Sequence, residues 1–178
     1  EDEIAKIKDT HIGTITIGTD KESSQKAIDL AHAHDNLFAC VGFHPGDVGV
    51  ESVYDSEIET LANDPRVVAI GECGLDYFRL DGDAEKVKVR QKNIFESHID
   101  LSLRINKPLM LHIRAQKDTY DAYADALDIL EHHAKQAGSK LRGNAHFFAG
   151  DMKILKRFLD IGFTVSFTGV ITFTTDYD

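Results

Sequence analysis

A chain of 178 residues with 42% hydrophobic content and only three prolines is long enough to bury one substantial core, and reads as a single domain over 1–178. The formal net charge of −10 excludes a general electrostatic grip on nucleic acid, so any phosphate-bearing ligand would need a local positive centre. Two cysteines without CxxC spacing (Cys40, Cys73), a charged start EDEIAKIKDT and no apolar run near ~18 residues argue against a disulfide or zinc framework, a leader and a membrane span. They predict a soluble cytoplasmic protein, with the nucleus as alternative.

Apolar periodicity then lays out alternating units. TITIG (14–18) reads as a strand, and ESSQKAIDLAHAH (22–34) as a helix with Ala27, Ile28, Leu30 and Ala31 on one face. FACVGFHP (38–45) is the next strand, SEIETLAND (56–64) a helix closed by Pro65, and VVAIGE (67–72) a nearly continuous apolar strand. A long helix over about 85–105, the strand PLMLHIR (108–114) and a helix over 118–136 ended by Gly138 follow. GNAHFF (143–148), the helix DMKILKRFLDIG (151–162) with Asp151 as N-cap, and FTVSFTG (163–169) complete six strands with five helices between them. Apolar strands alternating with helices predict right-handed βαβ units around a parallel sheet. A doubly wound sheet and a (β/α)8 barrel both satisfy that pattern, and the polar residues at the strand ends favour the barrel.

Those residues are His44 after FACVGF, Glu72 after VVAIG, His112 in PLMLH and His146 in GNAH. Barrels build their sites at the C-terminal ends of their strands, and neutral imidazoles with a carboxylate suit a divalent cation. A metal would also offset the cost of a partly buried Glu72, for which an ion pair with Arg114 is the alternative. Arg114, two residues past His112, should share its side of the strand, as a phosphate fork or as an ion-pair partner of Asp76 or Asp118. Asp76 and Tyr77 are expected on a loop after Glu72, capping it or orienting a water or histidine. His32 and His34 diverge by about 200° on one helix and cannot share a metal. His132, His133 and His98 read as ordinary helix residues, and KVKVRQK (86–92) as a solvated face.

GFHPGDV, VVAIGECGLDY, PLMLHIR, NAHFFAGD and GFTVSFTGVITF, in this order, resemble the TatD family of metal-dependent deoxyribonucleases, over about Ile15 to Phe173. The resemblance implies a TIM-type (β/α)8 barrel that hydrolyses DNA phosphodiesters with two divalent metal ions, Mg, Mn or Zn. It implies that Glu72, His112 and His146 are metal ligands, that His44 lies on the DNA phosphate side, and that Arg114 stands near the substrate. The family opens with a strand ending in H-x-H and closes with one ending in an aspartate. Here Asp9-Thr10-His11 reads as a loop with Gly13 in the second histidine's place, and Asp176 is not equivalent to the closing aspartate. At most one metal is therefore expected. Gly46 replaces the second histidine of GxHPH, which should weaken phosphate contacts. A complete barrel takes roughly 250 residues, so the expectation is an incomplete barrel with units two through seven, whose exposed edges favour self-association. Two rival readings are an amidohydrolase for a cyclic amide or lactone and a catalytically impaired binding relative.

Overall fold

The structure, a computed structural model, describes residues 12–49, 54 and 56–173. Asp9 to His11 and Asp176 lie outside them.

Helix and strand boundaries follow local chemistry. Strand β1 (Thr14–Ile17) leads into helix α1 (Lys21–Ala33), which starts where the Asp20 carboxylate accepts from Ser23 N–H and Ser23 Oγ returns the bond to the Asp20 backbone. The chain then runs through β2 (Leu37–Val41), α2 (Glu57–Ala62), β3 (Val67–Asp76) and α3 (Ala84–Ile105). Asp83 caps the start of α3, and Asn106, in the left-handed region, ends it. It continues through β4 (Leu109–Arg114), α4 (Asp121–Ala137), β5 (Gly143–His146), α5 (Met152–Asp160), capped by Asp151, and β6 (Thr164–Val165).

The six strands form one sheet in chain order, β1 to β6, and every pairing is parallel. Each helix therefore crosses over between neighbouring strands, as the alternating pattern predicts. Helices supply Ala27 and Ile28 (α1), Phe95 and Ile99 (α3), Leu127 and Leu130 (α4) and Phe158 (α5) to a continuous core with Ala39, Ile70, Leu111 and Ala145 of the strands. Among the described residues the sheet does not close on itself: β1 pairs only with β2 and β6 only with β5. No helix of the described residues is long and apolar enough to cross a membrane.

Several expectations change at this level. Strand β2 stops at Val41, and His44 instead caps a 3-10 turn over Pro45–Asp47. Strand β3 runs on to Asp76, so Asp76 lies at a strand end and not on a loop. It continues because Cys73 to Asp76 pair in register with Leu111 to Arg114 after an irregularity between Ile70 and Cys73. That irregularity gives β3 one extra residue against β4, as a bulge does. FTVSFTG contributes only a two-residue strand, β6, since the ladder has no further strand to pair with among the described residues. Helix α4 starts at Asp121, later than expected, because Asp118 takes a left-handed conformation (φ 59°).

Candidate metal centre and its cavity

The GECGLD stretch builds the site by alternation. In register with His112 of β4 is Gly74, with Glu72 two residues before it and Asp76 two after. Period two puts the two carboxylates on one side of the strand, and the glycine between them lets the backbones of β3 and β4 approach closely. Close approach demands the glycines: a Cβ on Gly71 would sit 2.3 Å from Met110 O and one on Gly74 2.2 Å from His112 O, and both have positive φ (145° and 134°).

The His112 ring reaches both carboxylates. Its Nδ1 lies 3.3 Å from Glu72 Oε1 and its Nε2 2.9 Å from Asp76 Oδ2. Burial opposes charge on the ring, but the bonds and charges of the two carboxylates outweigh it and raise the His112 pKa to about 9. Burial likewise acts to raise Glu72 and Asp76, yet the bond to His112 and its charge dominate and hold both below the ordinary carboxylate value. Asp76 also accepts from Phe78 N–H at 3.0 Å, so it both caps the following turn and holds the histidine. The Glu72–Arg114 pair weighed above gives way to Glu72–His112.

His44 packs its ring edge against His112, 4.2 Å between centroids. Burial and the neighbouring His112 charge keep its pKa below the usual value. Its Nδ1 accepts from Gly46 N–H at 3.0 Å, so neutral His44 carries its proton on Nε2 and presents a donor. Beside Gly46 the ring is so close that an added Cβ would meet it at 3.0 Å. His44, Glu72 and His112 offer ligand atoms all within 4.8 Å of one another. Carboxylate oxygens and imidazole nitrogens suit a divalent cation, so Glu72 and His112 fit such an ion, while His44, its Nδ1 taken by Gly46 N–H, stands beside them as a hydrogen-bond donor.

His146 pairs in register with His112 on the neighbouring strand and lines the same cavity, although it is not part of that closest group. Ser166 Oγ donates to Asn144 Oδ1 at 2.8 Å and lies 3.4 Å from His146 Nδ1. Facing an acceptor, Nδ1 carries the proton, and the Nε2 lone pair remains for a ligand. Arg114 is exposed at the cavity rim, its guanidinium 3.8 Å over the Phe78 ring. Among the described residues it forms no ion pair with Asp76 or Asp118.

Two residues, Gln91 from the run expected to be solvated and His98 expected to be an ordinary helix residue, instead support the site. Gln91, inside the run read as a solvated face, is buried: its Nε2 donates to Pro45 O (3.0 Å) and Asp76 O (2.9 Å), and its Oε1 accepts from Asp76 N–H (2.9 Å). It thereby ties the turn after His44 to the end of β3. His98 is also fully buried, with Nδ1–H donating to Ile94 O (2.7 Å) and Nε2 accepting from Phe43 N–H (3.0 Å), and burial lowers its pKa to about 4. Val87, Gln91, Ile94, His98 and Ser102 recur at three- and four-residue spacing, a signal that places both polar residues on the buried stripe. His32 instead meets Asp64 at 2.9 Å, and His132 packs on His133 at 5.7 Å, both away from the cavity.

Comparison with known proteins bears on this arrangement. The model of a family described as "TatD related DNase" matches residues 1–177. The chain belongs to the TatD family. It is 37% identical over 146 residues to "Uncharacterized metal-dependent hydrolase YcfH" of Escherichia coli (strain K12), an alignment of 82% of this chain and 49% of that protein. It is 33% identical over 165 residues to "Uncharacterized metal-dependent hydrolase TatD" of Mycobacterium tuberculosis, covering 90% of this chain and 58% of the relative. The crystal structure of the TatD homologue YJJV from Escherichia coli K12 superposes with a TM-score of 0.74 at 27% identity, covering 90% of this chain and 58% of that one. TatD structures of this kind have the TIM-barrel fold, so this open sheet of six strands is a sector of that architecture. The chain spans about half the length of the curated relatives it matches.

Proposed function

We propose that this TatD-family chain carries the metal-binding face of a divalent-metal-dependent hydrolase acting on DNA phosphodiester bonds. The observation that supports this most directly is the doubly held His112, packed between Glu72 and Asp76 and beside His44. In this reading Glu72, His112 and His146 are the protein ligands of the metal. A divalent cation there would supply Lewis-acid charge to the phosphate and a water of lowered pKa, which an acidic chain cannot provide otherwise. Asp76 keeps the His112 ring fixed in plane. Neutral His44 directs Nε2–H at a phosphate oxygen, and Arg114, held flat on Phe78, offers its fork to the same group. The family description as a DNase supports DNA as the substrate.

The amidohydrolase alternative usually requires a lysine at a strand end, and no lysine lines this cavity among the described residues. The two singly paired edge strands favour self-association as a further property of this chain. The test is Glu72→Gln assayed for bound Mn or Mg and for cleavage of a labelled DNA. Loss of both supports the reading, and retention of both refutes it.

A further inference from the structure

The cavity holding Glu72, His112 and His146 extends well beyond them. Its volume is about 500 Å³, and its remaining wall includes three aromatic side chains, Tyr120, Tyr123 and Phe147. Tyr123 is structural: it is buried, its hydroxyl accepts from Ala149 N–H at 2.9 Å, and its ring packs edge-on against Phe148 at 5.8 Å. Tyr120 and Phe147 are different, being 49% and 39% exposed.

Phe147 owes its position to the backbone. It has φ 51°, a left-handed conformation that bulky L residues seldom adopt. In an extended strand His146 and Phe147 would point to opposite faces. The left-handed residue instead lets both line the cavity, while Phe148 returns to the core. Tertiary packing thus holds an apolar ring in water beside the metal-binding face. At the same rim lies the guanidinium of Arg114, already stacked on exposed Phe78.

We infer that Tyr120 and Phe147 form a subsite for one nucleobase adjoining the cleaved phosphate, gripped by stacking on its π-face. The inference rests on the phosphodiesterase reading and deepens it. Charge directs it: a chain of net −10 has few long-range attractions for a polyanion, so stacking has to supply much of the affinity. Size agrees, since about 500 Å³ lies within the range of small-ligand pockets, roughly 300–1,000 Å³. A base inside a duplex has both faces covered, so the base taken here must leave its stack.

The experiment uses the metal-loaded protein and a short DNA carrying 2-aminopurine, or an abasic tetrahydrofuran residue, at each position in turn. The expected result is a change in 2-aminopurine emission at one position on binding, and a loss of kcat/KM of roughly 5- to 150-fold when that position is abasic. Phe147→Ala and Tyr120→Ala should each lower kcat/KM on intact DNA by a factor in that range, with metal binding unchanged and Phe147→Trp restoring it. On the abasic substrate those alanine variants should lose nothing further. Equal cleavage of intact and abasic DNA by the wild-type protein overturns the subsite alone, even if a variant misfolds. No binding and no cleavage of any of these DNAs overturns the phosphodiesterase reading and the subsite with it.

Discussion

The carboxylate of Asp76 lies 2.9 Å from Nε2 of His112, on the opposite side of the ring from Glu72. A neutral His112 donating Nε2–H to Asp76 keeps its lone pair on Nδ1, beside the other carboxylate. Asp76→Asn removes the charge that selects this tautomer while preserving shape. Divalent-metal affinity measured by calorimetry should fall roughly 10- to 100-fold. An unchanged affinity would show that Asp76 serves only as the cap of Phe78 N–H.

Metal uptake should also be linked to protons. With its pKa raised to about 9, His112 is an imidazolium at neutral pH and must release a proton before a nitrogen can act as ligand. Apparent metal affinity should therefore climb by about tenfold per pH unit and level off above about 9. The apo protein should behave inversely, because a raised folded pKa contributes stability below the unfolded value near 6.5 that disappears as pH rises through about 9. Titrations showing no pH dependence of affinity between pH 6 and 9 would contradict the His112 assignment.

His98 gives the opposite sign. Its folded pKa is lowered from 6.5 to about 4, so the unfolded state takes up the proton first. The stability linked to neutral His98 is complete above pH 6.5 and is lost as pH falls toward 4, by roughly 3 kcal/mol. Urea midpoints of the wild type and His98→Leu, compared over that window, isolate the term: the variant should start lower and lose less.

Gln91→Leu should be among the most damaging single changes in α3. It leaves Asp76 N–H, Asp76 O and Pro45 O without their partner at a buried position, and each unmet group costs about 1–3 kcal/mol. Chemical denaturation should show a loss of several kcal/mol, and metal affinity should fall with it because Asp76 and His44 both depend on this amide.

Large apolar side chains are exposed next to both open edges, Ile12 and Ile15 at β1 and Phe167, Ile171 and Phe173 past β6. Sedimentation of this chain should show concentration-dependent association, reduced by Ile15→Lys, which places a charge on the singly paired edge strand. A monomer at all concentrations would reject self-association through these edges.

Much of this was legible in one dimension. Strands apolar on both faces and separated by amphipathic helices admit few arrangements other than parallel βαβ units, because buried backbone must pair and crossovers have one hand. The terminal residues His44, Glu72, His112 and His146 stood out because ionisable groups after greasy runs need a physical reason. A local signal placed the start of α5 at Asp151, where the donors of a first turn require an acceptor.

Tertiary structure decided the rest, since it depends on distances between residues far apart in the chain. One extra residue in β3 sets the register in which Glu72 and Asp76 bracket His112, and period-two reading of VVAIGE alone does not reveal that register. The lysine-rich start of α3 looks solvated because charge dominates its composition, yet rotation about the helix axis buries Gln91 and His98 against β3 and the turn after β2. Which histidine nitrogen is free is likewise a three-dimensional fact: Gly46 N–H occupies Nδ1 of His44, and Asp76 occupies Nε2 of His112. Composition and period thus determined the kind of fold and the donor types available, whereas packing determined which donors meet and which of their atoms remain open to a ligand.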